Sequence, residues 1–221
     1  MRKSKLISHS GLMSNLSLLL IVLIFSSCGN SGSKNEKVTE AGVVAASESA
    51  VPAIKKYEIK SGIVTFESKG LGITSKVVLY FDDYGVKEAE EKYDENNQIR
   101  EASLCDGTNR YTIIYKDKSA YNQGICNRGV AYRFNWEEMS KADPEYKVKK
   151  LSNISVAGKD CESFSMESSG NTITYAGWNH ICLLLDQTSS FGDITYQAVS
   201  FEENAAIPAD KLNVPAGFVV K

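Results

Sequence analysis

The chain has 221 residues, a formal charge of −2 and 24% charged residues of both signs. That balance gives no basic excess for a nucleic-acid partner. With two histidines and five cysteines, none in CxxC spacing, it also offers no multi-histidine metal site and no zinc or redox pair of that kind.

The chain opens with Arg2, Lys3 and Lys5, runs through the apolar stretch LSLLLIVLIF and ends that stretch at Ser26-Ser27-Cys28. A positive start, a short apolar core and small residues before a cut describe a secretory leader. The core is shorter than the roughly 20 apolar residues that span a bilayer. Phe25-Ser26-Ser27-Cys28-Gly29 resembles the lipobox of bacterial lipoproteins. The resemblance implies that Cys28 is acylated and becomes the first mature residue, with two or more acyl chains giving a stable anchor. Loss of the leader takes with it Arg2, Lys3 and Lys5, moving the formal charge from −2 to about −5. The expected organisation is a leader over 1–27, a tether over 28–54 and a β domain over 55–221. The tether is rich in Ser, Gly, Ala and Glu and lacks periodicity.

With Cys28 given to lipid, Cys105, Cys126, Cys161 and Cys182 remain. An exported chain with four such cysteines is expected to form disulfides, and three pairings are open. Pairs 105–126 and 161–182 are favoured because each brackets a local group of strands.

From Tyr57 the pattern turns to β. Strands are expected at Tyr57–Phe66 and Ser75–Phe81. Val77, Leu79 and Phe81 fall on one side of the second, Val78 and Tyr80 on the other, so it should be covered on both faces. Turn signals follow at Asp82–Gly85, Asp94–Asn97, Asp106–Asn109 and Lys116–Lys118. Between them Val86–Tyr93, Ile99–Leu104 and Arg110–Tyr115 are expected strands, the first despite its helix-forming Glu, Lys and Ala. A helix is expected at Trp136–Ala142, capped by Asn135 and stopped at Asp143-Pro144. Further strands are expected at Leu151–Val156, Lys159–Ser168, Thr172–Trp178, Ile181–Asp186 and Asp193–Phe201. A helical turn within Asn204–Pro215 and an extended end at Val214–Val220 complete the chain. Regular strands and turns make an antiparallel meander, hence a sandwich, barrel or half-barrel.

Catalytic patterns are missing from the sequence. His180 lies in an expected turn and reads as a local structural residue. The charges of Lys87–Lys92 read as solvated surface, and the tyrosines Tyr111, Tyr115, Tyr121 and Tyr132 as strand formers or a carbohydrate platform. We expect no enzyme, no cofactor and no metal.

Four phrases resemble the half-barrel superfamily of the lipoprotein carrier LolA and receptor LolB. They are Tyr80-Phe81-Asp82-Asp83-Tyr84-Gly85-Val86-Lys87-Glu88, Val156-Ala157-Gly158-Lys159-Asp160-Cys161, Gly177-Trp178-Asn179-His180-Ile181-Cys182-Leu183, and the closing Ile207-Pro208 with Leu212-Asn213-Val214-Pro215. The resemblance implies a mainly β (α+β) fold, a curved antiparallel sheet whose concave face is covered by a few short helices. It also implies an apolar pocket for a lipid or lipoprotein acyl chain. The candidate lining is Val77, Leu79, Phe81, Ile113, Tyr115, Ile173, Tyr175 and Leu183, the alternative being a filled core in a structural or protein-interaction lipoprotein. The expected setting is a monomer held by Cys28 at the outer membrane of a bacterial envelope, its domain facing the periplasm.

Overall fold

The computed structural model describes residues 55–70, 72–126, 141, 147–168, 170–190 and 192–221. All of them belong to one compact unit, Ala50–Lys221. Cys28, the leader, the tether before residue 55, Tyr132 and the helix expected at Trp136–Ala142 (save Lys141) lie outside them.

Among the described residues thirteen strands form the fold: β1 (Gly62–Gly70), β2 (Ile73–Asp82), β3 (Lys87–Tyr93), β4 (Ile99–Cys105), β5 (Asn109–Ile114), β6 (Ser119–Ile125), β7 (Lys147–Lys150), β8 (Ile154–Val156), β9 (Lys159–Ser168), β10 (Asn171–Trp178), β11 (Ile181–Thr188), β12 (Ile194–Glu203) and β13 (Val219–Val220). They make one broad, open, curved sheet in the order β13-β6-β5-β4-β3-β2-β1-β12-β11-β10-β9-β7, with β8 paired to β9. Each of these pairings is antiparallel except that of β13 with β6. Two meanders, β1–β6 and β9–β12, are joined through β1 and β12. Helical structure among the described residues is limited to 3₁₀ turns at Asp83–Gly85 and Ala209–Leu212.

The strand register sorts side chains into two faces, because alternate residues point to opposite sides. We call the side carrying Leu79 the front. Val64 and Phe66 of β1 and Val77, Leu79 and Phe81 of β2 share it, being register partners. It continues across β12, β11, β10 and β9 through Tyr196, Leu185, Tyr175 and Phe164. The back carries Val78 and Tyr80 of β2, then Ala89, Leu104, Ala102 and Ile113 of β3–β5. The C-terminal segment covers the back, with Ile207, Leu212, Val214 and Phe218 packed on this second core. Strand β2 therefore belongs to both cores, as its two apolar faces led us to expect.

The first core is densest where β2 turns into β3. Residues 55–61 wrap this turn instead of extending β1. Lys56 and Tyr57 both donate backbone N–H bonds to the carbonyl of Tyr84, and Tyr84 N–H returns one to Lys60. The Tyr57 ring meets Phe81 edge-on at 4.8 Å, and its hydroxyl donates to Glu88 Oε2 at 2.8 Å. Lys56 pairs with the other Glu88 oxygen. Glycine is required at two places here. A Cβ on Gly85, whose φ is +81°, would lie 2.6 Å from Tyr57 Cδ2, and one on Gly62 would lie 2.7 Å from Phe81 Cζ.

Cys105 and Cys126 are joined, with Cα atoms 5.8 Å apart. They meet at the first residues of β5, Cys105 opposite Arg110 and the Cys126 N–H donating to the Thr108 carbonyl. Closing a loop of 21 residues contributes about 3 kcal/mol in the chain-entropy account. The expected second bridge is corrected: Cys161 and Cys182 are separate, buried thiols. Strand β10 separates their strands, and two inter-strand spacings of roughly 4.8 Å exceed the reach of a disulfide. The two also belong to different clusters, Cys161 with Phe81 and Ile181, Cys182 with Phe164 and Leu185. Burial pushes the Cys161 thiol up to about 11 and Cys182 to about 12.

The β2–β3 turn gives a direct test of this packing. Gly85→Ala adds left-handed strain and a clash with a buried ring, so it should lower stability by about 2 kcal/mol or more in urea unfolding. Gly217→Ala is the comparison, since a Cβ there meets nothing within 4 Å despite its φ of +81°. It should cost less.

Candidate functional site

Strand β3, KEAEEKY, positions the chemistry. Its hairpin register sets Glu88 opposite Phe81, Glu90 opposite Leu79 and Lys92 opposite Val77, all on the front. Ala89 and Glu91 face the back core. Three glutamates of this strand are buried: Glu88, Glu90 and Glu91, with exposures of 0%, 8% and 2%. These charges were expected to be solvated; the structure buries them and supplies partners. Buried charges demand such partners, because desolvating an unpaired carboxylate costs several kcal/mol. Glu88 has Lys56 and Tyr57. Glu91 accepts from Lys211 Nζ at 2.8 and 3.0 Å and from the Tyr93 hydroxyl at 2.7 Å.

Glu90 is the least compensated of the three. Lys92 Nζ is 4.0 Å away and turns to Glu101 at 3.0 Å. The Tyr196 hydroxyl reaches Glu90 Oε2 at 3.4 Å. Burial pushes the Glu90 carboxyl up to about 7, with Glu88 and Glu101 adding to the rise and Lys92 and Tyr196 opposing it.

Glu90 lies on a seam. On one side the front is apolar: Leu79, Val77, Phe66, then Tyr196 stacked on Phe66 at 4.3 Å. On the other, β3–β5 present Glu88, Glu90, Lys92, Ser103, Glu101, Arg110 and Thr112 on the same face by register, with Cys105 and Ile114 at its ends. An apolar half and a polar half thus adjoin between β2 and β3. Such a surface fits a ligand with a greasy part and a polar part.

The eight residues expected to line a pocket do not make one lining. Val77, Leu79, Phe81, Ile173 and Tyr175 share the front. Val77, Leu79 and Phe81 are fully packed in the first core, while Ile173 and Tyr175 are half-buried in a third cluster with Phe164 and Leu185. Tyr196 packs against both clusters. Leu183 is the unpaired residue of a β-bulge, since Ala176 faces Leu184 and Gly177 faces Cys182. Ile113 and Tyr115 belong to the back core. His180 sits with φ +65° in the β10–β11 turn, 3.7 Å from Glu58. Among the described residues no three His, Cys, Asp or Glu side chains converge as metal ligands.

Sequence reading missed Glu88, Glu90, Glu91, Tyr196 and Lys211. The signal was present for the glutamates. Once Asp82–Gly85 is a tight hairpin turn, the register carries Glu88 and Glu90 opposite Phe81 and Leu79.

No family model and no curated protein matches the chain. Among solved structures, an uncharacterized conserved protein from Thermus thermophilus matches with a TM-score of 0.50 and 8% identity, over 76% of this chain and 94% of that one. MucB matches with a TM-score of 0.51 and 16% identity over 76% of this chain. The match spans 62% of MucB, less than two thirds of its length. A LolA superfamily protein from Nitrosomonas europaea matches with a TM-score of 0.34 and 8% identity, over 72% and 92% of the two chains. In fold the chain is similar to the Thermus thermophilus protein and to MucB. At these identities the likeness is one of fold.

Between about pH 4.5 and 7 the folded chain keeps a proton on Glu90 that the unfolded chain has released. Folding takes up that proton, so stability falls as pH rises through this window. Glu90→Gln removes the effect. From pH 5 to pH 8 it should gain about 2–3 kcal/mol relative to the unsubstituted protein in urea unfolding. Parallel pH profiles for the two proteins would contradict the assignment.

Proposed function

We propose that this chain is a lipid-anchored binding module of the bacterial envelope that holds an amphiphile on the front of its sheet. The tail, a lipid or lipoprotein acyl chain, lies on the half-buried sector of Ile173, Tyr175 and Tyr196. The polar end turns toward Glu90 and Lys92. Cys28 carries the anchor at the outer membrane, the domain faces the periplasm, and the role is binding without catalysis.

The observation that carries this reading is the division of one sheet face at the β2–β3 boundary into adjoining apolar and polar halves. An acyl chain gains about 0.8 kcal/mol for each CH₂ it buries on the apolar half. A polar end near Glu90 and Lys92 keeps its hydrogen bonds, so neither part of the ligand is stranded.

A second reading has its own support. Val77, Leu79, Phe81 and Leu183 are buried to 3% exposure or less. That end of the front is a filled core, as a protein-interaction lipoprotein without a ligand would have.

Lipid recovery separates the two. The Cys28→Ser chain, purified from the periplasm without detergent, should yield bound lipid on organic extraction and take up a fluorescent fatty acid. Ile173→Asp should reduce uptake at least fivefold, because a charge in an acyl site is strongly disfavoured. Recovering no lipid and no uptake by either protein would leave the filled-core reading standing.

A further inference from the structure

We propose a second binding site, distinct from the front face, for a short oligosaccharide that carries carboxylate groups. The β3–β4 and β5–β6 turns lie at the same end of the meander, away from the Phe81 end. Tyr93, Asn97, Gln98, Arg100, Tyr115 and Lys116 line a cleft of about 710 Å³ between them. That volume is within the roughly 300–1,000 Å³ of small-molecule sites.

The lining fixes the chemistry. Both tyrosine rings are held from behind. Tyr115 packs edge-on against Phe218 at 5.3 Å. Tyr93 donates its hydroxyl to Glu91 at 2.7 Å, and Lys76 Nζ stands 3.8 Å from the centre of its ring. Rings already immobilised lose little freedom when a ligand arrives, and they offer apolar faces suited to the C–H faces of sugars. Asn97 and Gln98 are exposed, and their amides supply both donors and acceptors for hydroxyl groups. Ile99 is the one aliphatic residue of the lining.

Charge selects among sugars. Asp94 spends its carboxylate within the turn, where Oδ1 accepts from the backbone of Asn96 at 2.9 Å and of Gln98 at 2.8 Å. Arg100 is 60% exposed and meets Glu101 only at 3.8 Å. Lys116 is exposed as well. The lining thus holds two cations against one engaged acid in a chain whose formal charge is −2. A guanidinium fork and an ammonium complement carboxylates.

The test is calorimetric titration of the purified protein with trigalacturonic acid, with maltotriose and sodium acetate as comparators. Saturable binding of the charged trimer is expected. It should weaken at least fivefold in Arg100→Ala/Lys116→Ala, and several-fold when salt is raised from about 50 to about 500 mM. Both positions are exposed, so the melting temperature of the double variant should match that of the parent. Three results would overturn the proposal: no saturable binding of trigalacturonic acid at about 10 mM, an affinity unchanged in the double variant, or acetate or maltotriose binding as tightly as the charged trimer.

Discussion

Strand β2 has to be apolar on both sides, and the rest of the fold is arranged around that requirement. Its front residues Val77, Leu79 and Phe81 seal one core, and its back residues Val78 and Tyr80 seal another. A strand of this kind is confined to the interior of a sheet. On the β1 side the apolar core lies toward the front; from β3 to β6 it lies toward the back. Each core then needs its own cover. Residues 55–61 bring Tyr57 onto the front at Phe81, and the C-terminal segment brings Leu212 and Phe218 onto the back. The exchange of faces at β2 also leaves the front of β3 polar, which is how Glu90 comes to sit beside Leu79.

The four phrases singled out in the sequence turn out to be packing determinants. Phe81, Gly85 and Glu88 of the first meet at Tyr57. Val156 and Cys161 of the second flank the left-handed turn Ala157-Gly158 and enter the first core. Ile181 and Leu183 of the third do the same after the turn Asn179-His180. The closing phrase supplies Ile207, Leu212 and Val214 to the back core. Such residues specify a fold, and a fold of this kind serves many functions. Glu90 at the seam and the residues that line the cleft lie outside the phrases.

Most of the architecture was legible because the local signals agreed. Expected strands at Ile99–Leu104, Lys159–Ser168 and Thr172–Trp178 match β4, β9 and β10 within a residue. The helical turn expected within Asn204–Pro215 is found at Ala209–Leu212, and β2 has the two apolar faces expected of it. Strand β3 is a strand although Glu, Ala and Lys favour helix, because pairing on both edges outweighs a propensity of a few tenths of a kcal/mol per residue. Three things were not legible. Residues 57–61 alternate like a strand but serve as a wrap, fixed by the backbone bonds to Tyr84. Strands β6 and β7 carry Asn, Gln and Lys and gave no apolar alternation. The site depends on which residues face one another across strands, and a residue list from single strands mixed front and back: Ile113 and Tyr115 belong to a different surface from Val77 and Ile173.

The central claim is that the front, and not the back, holds the acyl chain. Methyl NMR of the protein with a spin-labelled fatty acid tests it most directly. The account predicts broadening of the Ile173 methyl signals, while those of Ile113 stay sharp. Equal broadening on both faces, or broadening confined to Ile113, would contradict it.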